Sequence, residues 1–137
     1  MNSEQFAKVF EQVMQSSRDV LLKKAGEYAT DDDRLHNFNV AAVLGDIEPA
    51  QALGGMMVKH TTSIYDMLKA GDPSQFSLEM WDEKIGDHIN YLILLKAAVV
   101  EAHAESLRNQ GELDLTFEEK VNARAHAIID HVGTQPS

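Results

Sequence analysis

Polar side chains able to bind an anion or a cation recur at three places in the sequence. In chain order they are Lys24, Glu27, Tyr28 and Asp31, then Lys59 and Ser63, then Glu83, Asp87 and Asn90. Spacings of four and three residues place the last three on one face of a helix. If the three places converge in the fold, carboxylates, amines and hydroxyls meet in one cleft.

The third group of side chains, at residues 83–90, contains two carboxylates that repel each other. Glu83 and Asp87 are like charges four residues apart, and such a pair destabilises an isolated helix by roughly 0.2–0.5 kcal/mol. A metal cation, a basic side chain or water can offset that cost. The sequence leaves these three alternatives open.

All three places lie in or beside stretches with helical periodicity. Helices are predicted over about residues 2–29, 35–44, 49–69, 77–110 and 116–131, with a loose tail at 133–137. Asn2 and Gln5 have the spacing of a capping box, and Pro49 suits the first turn of the third helix. No segment has the pattern of a strand. The predicted fold is all-α, a single domain of residues 1–137 forming a four- to five-helix up-and-down bundle.

The apolar periodicity also predicts which faces point inward. On the longest helix the expected inner stripe is Trp81, Ile85, Ile89, Leu92 and Ile93. On the third helix it is Met57, Ile64 and Leu68, completed by His60 or Thr61. A histidine on such a stripe is more often a core residue than a ligand. Further apolar residues on the longest helix, including Leu94 and Val99, predict a homo-oligomer.

Composition limits the classes of partner. The chain has 137 residues, of which 22 are acidic and 12 basic, and its formal net charge is −10. This charge opposes binding to nucleic acid or to anionic lipid over the whole surface. Without cysteine the chain has no disulfide, no zinc–thiolate site and no thiol nucleophile. The N-terminus lacks the layout of a secretion signal and the longest apolar run, 91–100, is too short to span a bilayer, so we expect a cytoplasmic protein with no membrane partner.

Several common catalytic motifs are missing. The sequence has no glycine-rich phosphate loop, no Gly-x-Ser-x-Gly elbow and no His-Glu-x-x-His pair. The paired Glu-x-x-His motifs of di-iron bundles are missing too.

Four blocks occur in order between residues 20 and 95, at 23–29, 34–38, 57–60 and 83–91. They read Lys-Lys-Ala-Gly-Glu-Tyr-Ala, Arg-Leu-His-Asn-Phe, Met-Val-Lys-His and Glu-Lys-Ile-Gly-Asp-His-Ile-Asn-Tyr. Together they resemble the all-α nucleotide pyrophosphohydrolases of the MazG and dUTPase type. They are more similar still to small, phage-type helical relatives known as nucleotide-modification-associated domains.

The resemblance implies a nucleotide ligand, a Mg²⁺ cofactor and roles for particular residues. Glu83 and Asp87 would be catalytic and would hold the metal together with Glu27 and Asp31. The nucleotide would be bound by Lys24, Tyr28, His36, Asn37, Lys59, Ser63 and Asn90, with Phe38 as a further residue able to stack on a base.

The sequence also departs from that family. The helix that should carry a Glu-x-x-Glu pair has Lys59, Thr62 and Ser63, and the residue three before Asp87 is Lys84. Three hypotheses follow. The protein is a metal-dependent nucleotide pyrophosphohydrolase, a catalytically silent binder of a nucleotide or signalling metabolite, or a phage-type interaction protein that docks a host protein.

Overall fold

A computed structural model of the chain describes residues 1–23, 33–109 and Asn122. Its helices are α1 (Ser3–Arg18), α2 (His36–Gly45), α3 (Pro49–Lys69) and α4 (Leu78–Asn109). A π-helical turn, Asp19–Lys23, extends α1, and a 3₁₀ turn, Pro73–Gln75, precedes α4. All regular elements of the described residues are helical, which confirms the prediction of an all-α helical bundle. The predicted last helix and tail lie outside the described residues, except for Asn122.

The first helix begins where the sequence predicts. The Asn2 side chain accepts a hydrogen bond from the backbone N–H of Gln5 at 2.9 Å, and the Gln5 side chain accepts one from the backbone N–H of Asn2 at 2.8 Å. This capping box satisfies two of the backbone donors that every helix start leaves unpaired.

Helices α2 and α3 are joined by a tight connection and pack against each other. Asp46 ends α2 in the left-handed backbone region at φ 53°. Glu48 and Gln51 form a second capping box, and Pro49 lies in the first turn of α3, as predicted. The buried apolar residues here are Leu35, Phe38, Ala42, Ala52 and Leu53, of which Leu53 is fully buried.

The connection between α3 and α4 is fixed by local hydrogen bonds. Gly71 has a φ of 87°, a conformation that favours glycine. Asp72 accepts hydrogen bonds from the backbone N–H and the hydroxyl of Ser74, at 2.9 and 2.8 Å. The indole N–H of Trp81 reaches back to the Pro73 carbonyl at 2.9 Å. These bonds fix the entry of the chain into α4.

The inner faces of α3 and α4 differ from the predicted stripes. On α3, Met67 is buried and Leu68 is 55% exposed, whereas the sequence favoured Leu68. On α4, Ile85, Leu92 and Ile93 are exposed, although Trp81 and Ile89 are half-buried as expected. Asn90, on the polar stripe, is buried at 8% exposure. The polar face of α4 therefore turns inward next to α3, and part of its apolar face does not.

Contacts group the chain into two compact units, Met1–Lys96 and Ala97–Ser137, with the boundary inside α4. In the second unit Ala98 and Ala104 are buried. Among the described residues no helix is both long and apolar enough to cross a membrane.

Candidate functional site

The candidate site is a group of polar side chains where α3 meets α4, here called the polar cluster. Its members are His60 and Thr61 on α3, and Asp87, His88, Asn90 and Tyr91 on α4. Asp87, Asn90 and Tyr91 share one helical face because they are spaced by three and four residues, and His88 lies beside them, three residues before Tyr91. Two adjacent residues of α3 meet that face directly, which makes the cluster the polar contact between the two helices.

His60 is the central member of the polar cluster. Its ring is buried, its Nδ1 lies 3.6 Å from an Asp87 carboxylate oxygen, and its centroid lies 4.5 Å from that of the Tyr91 ring. Burial lowers the pKa of His60 below its ordinary value of 6.5; the negative charge of Asp87 opposes this shift, while Lys59, His88 and Lys84 add to it. His60 is therefore neutral at pH 7.

The neutral ring of His60 has one donor and one acceptor. Because the Asp87 carboxylate faces Nδ1, the proton is favoured on Nδ1 and Nε2 is left as the acceptor. Nε2 is buried and has no hydrogen-bond partner among the described residues. The side-chain oxygen of Asn90 is in the same situation. Burying an acceptor without a donor lowers the free energy of unfolding by about 1–3 kcal/mol. The cluster therefore contains two acceptors for which the described residues supply no donor.

A second contact between α3 and α4 joins Thr61 and His88. The Thr61 hydroxyl lies 3.2 Å from His88 Nε2 and 3.5 Å from the Met57 carbonyl. A hydroxyl has only one hydrogen, so Thr61 can donate to the Met57 carbonyl or to His88 Nε2, but not to both. When Thr61 donates to the carbonyl, its oxygen accepts a hydrogen bond from His88 Nε2–H. The tautomer of His88 is thus coupled to the rotamer of Thr61.

Glu83 lies one turn before the polar cluster on α4. Its carboxylate accepts a 2.7 Å hydrogen bond from the Lys84 amine and is largely exposed. That hydrogen bond and the charge of Lys84 lower the pKa of Glu83 and raise the pKa of Lys84. The charge of Lys84 acts on both Glu83 and Asp87 and so offsets the repulsion expected between them, whereas His60 beside Asp87 is neutral. Of the three alternatives left by the sequence, the described residues supply a basic side chain.

An aromatic contact connects the polar cluster to α2. The ring of Phe38 meets that of Tyr91 edge-on, with centroids 6.1 Å apart. Phe38 is buried, so its ring belongs to the core rather than to a base-stacking surface. Tyr91 is half-buried between Phe38 and His60 and links the apolar contact of α2 to the polar contact of α4.

His36 and Asn37 lie at the start of α2. The His36 Nδ1 is 3.6 Å from a carboxylate oxygen of Asp33, which also accepts hydrogen bonds from the backbone N–H of Leu35 at 2.9 Å and from the Asn39 amide. Both predicted residues are exposed. Asp33 therefore organises the first turn of α2, and His36 is part of that arrangement.

The remaining predicted residues divide into two groups. Lys59 and Ser63 lie on α3, where the Ser63 hydroxyl donates to the Lys59 carbonyl at 2.9 Å and the Lys59 charge acts on His60. Lys24, Glu27, Tyr28 and Asp31 lie outside the described residues. The structure thus brings Asp87, Asn90 and the charge of Lys59 together.

Sequence reasoning missed four members of the cluster as site residues: His60, Thr61, His88 and Tyr91. His60 was expected in the core, where it does lie. The available signal was the presence of histidines on both α3 and α4.

The described residues alone do not suit Mg²⁺. This ion prefers oxygen ligands, with carboxylates free to approach it, but Glu83 is bonded to Lys84 and Asp87 faces His60. No group of three or more metal-binding side chains occurs within residues 1–23 and 33–109. Because Glu27 and Asp31 lie elsewhere, the predicted magnesium site stays a prediction.

A separate open depression lies at the α2–α3 connection, with a volume of about 570 Å³. It is lined by Asn39, Val43, Asp46, Glu48 and Gln51 among others. None of the residues predicted to bind nucleotide or metal lines it.

Comparison of the chain with protein-family models, with curated proteins and with solved structures returned no match. The resemblance to the MazG and dUTPase type of enzyme therefore rests on the four sequence blocks alone.

Proposed function

We propose that the protein binds a nucleotide at the polar cluster, through contacts that need no metal ion. The observation that carries this proposal is a pair of buried acceptors, His60 Nε2 and the Asn90 side-chain oxygen, which have no hydrogen-bond partner among the described residues. Two lysines from different helices, Lys59 and Lys84, lie close enough for their charges to act on the same histidine ring. Asp87 faces that ring, and Glu83 is bonded to Lys84.

The two lysines suit a phosphate. Lysine binds phosphate as a point charge, and Lys59 and Lys84 would supply two such charges from different helices. His60 would take part as a neutral acceptor, because burial lowers the pKa of its ring. The affinity is then expected to decrease as the pH falls towards the folded pKa of His60, where Nε2 takes up a proton.

The rest of the ligand would be recognised by uncharged groups. The Asn90 side-chain amide oxygen and His60 Nε2 are acceptors without partners among the described residues. Base amino groups and ribose hydroxyls are donors of the kind that these acceptors need. A nucleotide carries both a phosphate and such donors, which is why it suits the cluster better than inorganic phosphate alone.

Binding without hydrolysis is favoured by the partners of the two carboxylates. Metal-assisted hydrolysis requires carboxylates that hold the ion on the phosphates, whereas Glu83 and Asp87 each face a basic side chain. The metal-dependent pyrophosphohydrolase and the host-docking protein are the alternatives that the test must separate.

Calorimetric titration with a panel of nucleoside mono-, di- and triphosphates tests the proposal, once in EDTA and once with Mg²⁺. We expect binding in EDTA and no release of phosphate or pyrophosphate in either condition. Magnesium-dependent binding with release would favour the hydrolase. No binding of any nucleotide in either condition would overturn the proposal and leave the docking hypothesis.

A matched pair of variants locates the site. Lys59→Ala removes a charge beside His60, and Lys69→Ala removes the same charge from the same helix, where Lys69 pairs with Asp66 at 3.1 Å. We expect Lys59→Ala to weaken binding about tenfold or more, as for the loss of one charge-assisted contact of about 1.5–3 kcal/mol. Equal effects of the two substitutions would place the ligand elsewhere.

A further inference from the structure

Helix α1 carries an apolar face that the described part of the chain leaves largely uncovered. Phe6, Val9, Phe10 and Met14 follow the three-and-four spacing of one helical face. Phe6 is 61% exposed and Phe10 is 53% exposed, and the other two are also exposed. Ser17, on the same face near the C-terminal end of α1, is buried. The uncovered part of the face is therefore its N-terminal three turns.

The area of this face is comparable with what a stable protein contact requires. A phenylalanine offers about 150–250 Å², so Phe6 and Phe10 together expose roughly 200 Å², and Val9 and Met14 raise the total to about 300 Å². A standard interface buries about 800 Å² on each partner, of which somewhat more than half is apolar. The α1 face alone supplies most of that apolar share.

Charge indicates which partner covers the face. Residues 1–18 contain two acidic side chains, Glu4 and Glu11, and two basic ones, Lys8 and Arg18, so their side chains sum to zero in a chain of −10. Two copies that meet elsewhere on this acidic chain bring like charges together, whereas two copies that meet at α1 do not. An anionic membrane would instead favour a helix with an excess of lysine and arginine beside its apolar face.

We propose that this face joins two copies of the chain, with their α1 helices antiparallel about a two-fold axis. The four charged side chains of α1 lie on a different side of the helix from Phe10, so they stay away from this contact. The antiparallel arrangement also opposes the two helix dipoles. Phe10 lies at the axis, because it is midway between Phe6 and Met14, which face each other across the contact.

The contact is isologous, so each side chain occurs in it twice. It is independent of the nucleotide proposal, since the uncovered residues of α1 are not members of the polar cluster.

The mass of the full chain in solution tests the proposal. By sedimentation or light scattering, the wild type is expected to have twice the mass of one chain at micromolar concentration. Phe10→Glu is expected to raise the dimer dissociation constant about a hundredfold or more, because two buried phenylalanines are lost. Gln12→Glu adds the same charge on the other side of α1, where Gln12 is exposed, and is expected to remain a dimer.

Cross-linking tests the same contact without a disruptive substitution. The chain has no cysteine, so Phe10→Cys introduces a single thiol at the proposed axis and Gln12→Cys a single thiol away from it. A short bismaleimide is expected to join two copies of Phe10→Cys rapidly and Gln12→Cys at least tenfold more slowly. Equal rates would overturn the proposed axis.

Other occupants of the face give different results. A wild-type chain that stays monomeric at all concentrations overturns the proposal, because the face is then covered by the chain's own residues or by another partner. Sedimentation of monomeric wild type with phosphatidylserine vesicles, lost in Phe10→Glu and retained in Gln12→Glu, would also overturn it and identify a membrane contact.

Discussion

Helix α3 makes two kinds of contact along its length. Its N-terminal half packs against α2 through apolar residues such as Ala52 and the fully buried Leu53. Its C-terminal half meets α4 through His60 and Thr61, which lie against Asp87 and His88. The first contact removes apolar surface from water and leaves few polar groups to satisfy. The second contains buried acceptors that have no partner in the described part of the chain.

The difference indicates that one half of α3 serves stability and the other half serves the proposed ligand binding. Apolar burial contributes about 1.5–3 kcal/mol for each large side chain, whereas an unpaired buried acceptor costs about 1–3 kcal/mol. The α2–α3 contact therefore stabilises the first unit. The α3–α4 contact lowers its stability, and a ligand that donates hydrogen bonds to the buried acceptors would restore it. Four substitutions or conditions test this comparison, in order of decreasing effect.

Leu53→Ala tests the apolar contact. We expect it to lower the free energy of unfolding by about 2–5 kcal/mol, because it removes a fully buried side chain and leaves a cavity. Urea unfolding followed by circular dichroism measures the change. Leu68→Ala on the same helix is the control and should cost much less, since Leu68 is 55% exposed. Equal costs would mean that the α2–α3 contact is not the stable part.

Asn90→Leu tests the polar contact in the opposite direction. It replaces a buried acceptor, unpartnered within residues 1–23 and 33–109, by an apolar group, and we expect the free energy of unfolding to rise by about 1 kcal/mol. Nucleotide binding should fall at the same time. Asn109→Leu, on an exposed position of the same helix, should change neither property. A destabilised Asn90→Leu would show that the amide is needed for folding rather than for a ligand.

The pKa of His60 predicts how stability depends on pH. Because its pKa is lowered in the folded state, the unfolded chain takes up a proton first as the pH falls below 6.5. The contribution of His60 to stability is thus complete above pH 6.5 and is lost as the pH falls towards its folded pKa, with a slope of at most about 1.4 kcal/mol per pH unit.

Unfolding experiments between pH 7.5 and about 5 measure this dependence, and His60→Phe should flatten it. His36→Phe is the control, since His36 is exposed beside Asp33. An identical pH dependence in wild type and His60→Phe would contradict the lowered pKa.

Glu83→Gln is expected to have the smallest effect. Its carboxylate is exposed and bonded to the neighbouring Lys84, so neither the melting temperature nor metal-free nucleotide binding should change measurably. If Glu83 held Mg²⁺ as the resemblance implies, the same substitution would remove any magnesium-dependent activity. The variant therefore distinguishes metal-free nucleotide binding from a magnesium-dependent activity that uses Glu83.

Local patterns predicted the ends of the helices well. The capping box at Asn2 depends on residues three apart, and α3 begins at Pro49 and spans the predicted residues 49–69. Predictions of the inward faces were less accurate. Periodicity shows that Leu68 and Leu92 share a face with other apolar residues, but not whether that face is covered by this chain.

The candidate site was predicted only in part, because local patterns do not show which helices meet. Asp87 and Asn90 lie on one turn of α4, so their shared face can be read from spacing. His60 and Thr61 come from another helix, and nothing local in the sequence indicates which turn of α3 meets that face. A contact between distant segments depends on the packing of whole helices, which the pattern within each helix does not contain.

The entry into α4 has a practical consequence for spectroscopy. The chain has one tryptophan, Trp81, which is tied to the Pro73 carbonyl and lies edge-on to Phe76. Its fluorescence emission therefore reports on one short loop, whereas ellipticity averages over every helix. An emission shift at lower denaturant than the loss of ellipticity would reveal that α4 separates from its anchoring loop before the remaining helices melt.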